Sequence, residues 1–237
     1  MPGPVRILVV AEGLFALTAL GGLVWRGRQW YCHAFLAYGA TVVACGVWAA
    51  AWPESAYNWN VWTTWQAVQV TLKLAMLFEI STHVFRPFPG ALTAVRAVIT
   101  LVLWATAAAL LTVRATGMDL WDFAVRTSPI ANQGAAWGFT LVLALSIWFL
   151  VPMDSWRRAI VIGMAAYGMA FTGATAALER LGWGARETLG YLNIAAYLLL
   201  LVYWNVAAWR PASAEDGEVE RLRRDLPGRL AERMQRP

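Results

Sequence analysis

The chain has 237 residues, 59% of them hydrophobic and 14% charged, with a formal net charge of +5 and a mean hydropathy of +0.52. A soluble domain is nearer half apolar and a quarter charged, so this balance excludes an ordinary water-soluble fold and places the chain among membrane proteins. The positive charge does not call for nucleic acid, because many of the arginines flank apolar runs; the partner it implies is the lipid bilayer. Fifteen tryptophans suit headgroup-level anchoring. Eighteen arginines against a single lysine point to a GC-rich, bacterial genome, and so to a bacterial inner membrane.

An apolar run of 18 residues, Ile7–Val24, opens the chain between Arg6 and the pair Arg26 and Arg28. It reads either as a signal peptide or as a retained first helix, and its spanning length favours the helix. A second span covers about Tyr31–Trp52 and ends at Pro53. Its two cysteines, Cys32 and Cys45, stand thirteen residues apart, roughly 20 Å along a helix, which is too far for a disulfide. The third span, about Trp59–Val84, carries the lone Lys73 near its middle, then Glu79 and His83. A fourth covers Val95–Val113. The segment Arg114–Gln133 follows as the longest loop, and its alternation of Met118, Leu120, Trp121, Phe123 and Val125 with Asp119, Asp122 and Arg126 predicts a short interfacial helix. The fifth, sixth and seventh spans cover Gly134–Val151, Ala159–Leu178 and Thr188–Trp209. The expected fold is an all-α bundle of seven transmembrane helices over residues 1–209, followed by a charged tail over 210–237.

Orientation follows from the arginines. Thirteen of the eighteen fall on the side of the tail, which the positive-inside rule makes cytoplasmic, so the N-terminus lies outside. All ten prolines fall outside the expected spans or at their ends, which argues for straight helices and against the broken helices of rocking transporters. In the sixth span Gly163, Gly168 and Gly173 permit close helix contact. The tryptophans expected at the outer face (Trp59, Trp62, Trp65 and Trp183) form either an anchoring belt or the mouth of a ligand site.

Ionisable groups at membrane depth face a bundle interior and mark a function or a structural pair. Gln66, Gln69 and Lys73 share one face of the third helix. Glu79 lies about 240° further round at 100° per residue, so Lys73 and Glu79 need separate partners from other helices. Asn193 and Tyr197 of the seventh span, Tyr167, Thr172 and Thr175 of the sixth, and Tyr38 of the second are the polar candidates. The functional reading is a pocket in which Gln66, Gln69, Lys73, Glu79, Tyr167 and Asn193 bind an anionic or polar ligand. The competing reading is an interhelical network that only fixes packing. Cys32, His33, Glu79 and His83 are expected at one depth near the cytoplasmic end, with donor types that suit zinc, and two histidines at one depth also raise b-type haem. No compact metal motif accompanies them, and no cofactor is expected. The last helix has no lysine for a retinal Schiff base, and no nucleophile elbow, P-loop or dinucleotide fingerprint occurs.

In the tail, Val219, Leu222 and Leu226 stand at heptad-like spacing, with acidic residues first and arginines later, and Pro227-Gly228 breaks the pattern. A cytoplasmic protein partner docking there is one reading; a solvated tail is the other. Together these features lead to a non-enzymatic membrane sensor that passes a signal to a cytoplasmic partner. The alternatives are a small-solute or proton-coupled carrier using the third helix, a structural subunit of an oligomer or membrane complex, and a haem or metal redox protein.

Overall fold

The computed structural model describes residues 3–56, 58–86, 120–148, 151 and 153–211, with residues 90, 93, 97 and 100 between. The fourth expected span and the tail beyond residue 211 lie outside the described residues. Every regular element within them is helical: α1 (Gly3–Trp25), α2 (His33–Ala51), the single turn α3 (Pro53–Ala56), α4 (Trp59–Val84), α5 (Leu120–Trp148), α6 (Ser155–Leu181) and α7 (Arg186–Trp209), with a 3₁₀ turn at Trp183–Ala185 before α7. Five are long and apolar enough to cross a membrane: α1 from Arg6, α2, α5 from Ile130, α6 to Leu178, and α7 from Glu187. A 30 Å hydrocarbon core needs about 20 apolar residues, which each of these supplies or approaches. The chain is therefore an integral membrane protein. α4 is also of spanning length, and its Gln, Lys and Glu residues keep it out of that apolar set.

Local chemistry sets the helix ends. α1 stops where Gly27 takes φ +66° and Arg28 N–H reaches back to the Leu23 carbonyl (2.8 Å), the left-handed close that glycine adopts without cost. Asn58 caps α4 by accepting from Asn60 N–H (3.0 Å). Asp154 caps α6, accepting from Arg157 N–H (2.9 Å) while its other oxygen takes the Arg157 guanidinium (2.6 Å). α2 begins at Cys32, whose own side chain caps nothing.

Two expectations need correction. The interfacial helix and the fifth span are one helix, because 120–133 continues without a break into the apolar segment, and α5 is described as far as Trp148, with Val151 outside any helix. That helix also runs through Pro129, which falls just before the apolar stretch that starts at Ile130. Pro129 removes one backbone donor there without ending the helix.

Among the described residues the six long helices close into a ring in which α1 packs on α2, α2 on α4, α4 on α5, α5 on α6, α6 on α7, and α7 on α1. Small residues set the closest approaches. The backbones of α1 and α2 cross at Gly13 and Gly46, where a β-carbon on Gly46 would lie 2.9 Å from the Gly13 α-carbon. A β-carbon on Gly163 would meet Leu200 and Trp204, and one on Gly168 would meet Ala136, whereas Gly173 faces open space. The expected glycine contacts of α6 are thus made by two of the three. The centre of the ring is aromatic: Phe35 stands edge-on to both Trp156 and Trp204, with 4.9 Å between ring centroids in each pair. Exposed tryptophans occur at both ends of the helices, Trp25, Trp30 and Trp148 at one and Trp48 and Trp52 at the other. That distribution suits two interfacial belts better than a single outer mouth.

Candidate functional site

α4 carries its polar groups to two different neighbours. Lys73, 8% exposed, donates from Nζ to Asn132 Oδ1 of α5 at 2.8 Å and sits 5.6 Å from the centroid of the Tyr167 ring of α6. These three line a cavity of about 10 Å³, otherwise walled by apolar side chains such as Phe139 and Phe171. Such a volume holds about one water. Gly168 and Ala136 bring α5 and α6 close enough to shape it.

Beyond Tyr167 the polar groups continue. Its ring lies 5.3 Å from that of Tyr197, whose hydroxyl is 2.9 Å from the hydroxyl of Tyr38. Asn193 adjoins Tyr167, and its buried Oδ1 has no hydrogen-bond partner in the present amide orientation. Glu12 of α1 faces the same interior, within electrostatic range of Tyr38, Tyr167 and Tyr197.

Glu79 serves the opposite end of α4. Its Oε2 accepts from Ala34 N–H (2.8 Å) and the Cys32 thiol (3.4 Å), and its Oε1 accepts from His33 N–H (2.9 Å) and contacts His33 Nδ1 (3.0 Å). The first backbone donors of any helix lack intrahelical partners, and the helix dipole favours an anion there. Glu79 therefore caps α2 from another helix, in place of the side-chain cap that Cys32 does not supply. At the same end of the ring Arg28 and Arg157 are also buried, both 5% exposed, and Arg28 donates to the Ala207 carbonyl (3.3 Å). Arg157 donates to the Tyr31 carbonyl (3.1 Å) and lies over the Tyr31 ring (5.2 Å), and Arg26 donates to the Trp209 carbonyl (3.0 Å).

Of the six residues expected to share a ligand pocket, the structure brings together Lys73, Tyr167 and Asn193. Gln66 and Gln69 are half-buried on α4 without a hydrogen bond to another described residue, and Glu79 belongs to the α2 cap. Cys32, His33 and Glu79 do meet, but the carboxylate is committed to backbone donors, and His83 lies one turn on. Among the described residues no group of three or more His, Cys, Asp or Glu is placed to hold a metal. Two further residues belong to this polar interior, Asn132 and Glu12. Asn132 falls in the expected loop, two residues ahead of a span that starts at Gly134. Glu12 is the only ionisable residue in the run Ile7–Val24, which was signal enough.

Cys32 lies just before the membrane span of α2. It is 2% exposed, and burial together with the Glu79 carboxylate pushes its thiol up to about 12. Thiolate is thus scarce at neutral pH, and alkylation of Cys32 in the folded protein is expected to be at least tenfold slower than in the unfolded chain. Mass-spectrometric counting of maleimide adducts checks this, and equal rates in the two states would contradict the burial.

The fold and site define a class: an integral membrane helix bundle with a lysine buried in its interior and a carboxylate capping the start of a neighbouring helix. No protein-family model, curated protein or solved structure matches the chain.

Proposed function

We propose that the chain is a non-enzymatic sensor module of a bacterial inner membrane, with seven spans, its N-terminus outside and its tail docking a cytoplasmic partner. The observation that carries the reading is Lys73, buried in the bundle against neutral partners over a space for about one water. Small-molecule sites enclose roughly 300–1,000 Å³, so this space suits recognition of something very small rather than passage of a solute. Arg26, Arg28 and Arg157 gather at one end of the ring, which supports the orientation.

The test uses the full chain in proteoliposomes and in nanodiscs. Under an imposed gradient, proton and solute uptake is expected to equal that of empty vesicles. In nanodiscs, Lys73→Met is expected to change amide exchange in the tail, 210–237, and in the 26–33 segment by a factor of two or more. Exchange unchanged at both places would remove the signalling role. Uptake that Lys73→Met abolishes would install the second reading, a proton-coupled carrier, which the hydroxyl pair of Tyr38 and Tyr197 and the nearby Glu12 favour.

A further inference from the structure

We infer that the cavity beside Lys73 binds a single small monovalent anion of the halide class, which supplies the counter-charge of the lysine. The inference rests on the sensor reading only in naming the ligand of the same site. An ammonium withdrawn from water is costly unless it is paired and hydrogen-bonded. Among the described residues Lys73 is paired with no carboxylate: its hydrogen bond goes to a neutral amide oxygen and its other close contact is a tyrosine ring.

No acidic residue of the described helices makes an ion pair with Lys73. Glu79, on α4 itself, is spent on the start of α2. Glu12 stands on α1, which is not a direct neighbour of α4 in the ring. Asp122 precedes Asn132 by ten residues on α5, about 15 Å along the axis. α6, which supplies Tyr167, presents only Met164, Gly168 and Phe171 beside it in the cavity wall.

Size selects the ligand class. The cavity, about 10 Å³, takes one water-sized species, so phosphate, sulfate and carboxylates are too large. A halide is only slightly larger than water and needs no directional set of donors. It would meet the ammonium on one side and the Tyr167 hydroxyl or ring edge on another, with Phe139 and Phe171 excluding competing water.

The experiment is thermal unfolding of the full chain in nanodiscs, followed by tryptophan fluorescence, with sodium chloride titrated against sodium gluconate at constant ionic strength. Saturating chloride is expected to raise Tm by about 5 °C, the shift that occupancy near a hundredfold above Kd gives a chain of this size. Lys73→Met is expected to remove the dependence. Asn132→Asp places a carboxylate oxygen where Lys73 already donates at 2.8 Å, so it too should unfold independently of chloride, and it keeps the test valid if the methionine variant does not fold. A wild-type Tm indifferent to chloride, as a site holding only water would give, overturns the inference. So does a chloride response that survives in Asn132→Asp. The sensor reading is judged separately, by the exchange of the tail.

Discussion

Gly46→Val is expected to lower the stability of the bundle by at least about 2 kcal/mol, the cost of forcing a side chain into a filled contact. The reason is the crossing of α1 and α2. Each glycine presents its backbone to the other, so a β-carbon on Gly46 meets the Gly13 α-carbon at 2.9 Å and the Val9 carbonyl oxygen at 3.3 Å. Those neighbours are main chain and cannot rotate away, so the helices must separate and lose the packing that holds membrane helices together without a hydrophobic drive. For a chain of this length the corresponding loss in Tm is roughly 4–8 °C. Gly173→Ala is the control: nothing lies within 4 Å of its added carbon, and alanine favours the helix, so its Tm should hold or rise. Thermal unfolding in nanodiscs measures both. Equal Tm values for Gly46→Val and the wild type would mean that the crossing is not a tight contact.

Glu79→Ala is expected to cost about 2–3 kcal/mol, because it removes a charged acceptor shared by two backbone N–H groups, a thiol and an imidazole. The consequence is local before it is global. Without the carboxylate the first turn of α2 frays and Cys32 leaves its buried site. Its alkylation at neutral pH should therefore quicken by tenfold or more, while the rate at Cys45, thirteen residues on, stays close to its starting value. Glu79→Gln keeps one acceptor oxygen of the same reach and is expected to lose about half as much stability. If Glu79→Ala left Cys32 as unreactive as before, the cap would not be what holds the start of α2.

How much of this was legible beforehand depended on where the information sits. Lys73 and Tyr167 stood out because polar side chains are rare in such runs, and their separation from Glu79 followed from helical geometry. The identity of the Glu79 partners did not, because backbone N–H groups are donors whatever the residue type, and nothing in a side-chain pattern marks them. Asn132 was hidden by a boundary. The polar stretch before Gly134 resembles a loop, yet helix α5 continues through it and through Pro129, and Asn132 within it meets Lys73 of α4. The closest approaches were only half readable: the glycines of α6 are spaced for contact, but which of them meets a neighbour depends on the direction of each helix, and Gly173 meets none.

The ring has a bearing on the order in which the protein can be made. α1 is held on one side by α2, its immediate successor, and on the other by α7, through bonds such as Thr18 to Asn205 (2.6 Å) that join residues 187 positions apart. Contacts so distant in sequence form only after the intervening chain has been inserted, and closing so long a loop carries the larger entropy cost. Until α7 arrives, the seam of α1 that will receive Asn205 and Trp209 faces lipid, and α1 is held in register by α2, through the Gly13–Gly46 crossing and the bond from Arg6 to the Ala50 carbonyl (2.6 Å). The first helix pair thus acts as the template against which the rest of the bundle winds back, and its tightest contact is needed before any other part of the ring exists.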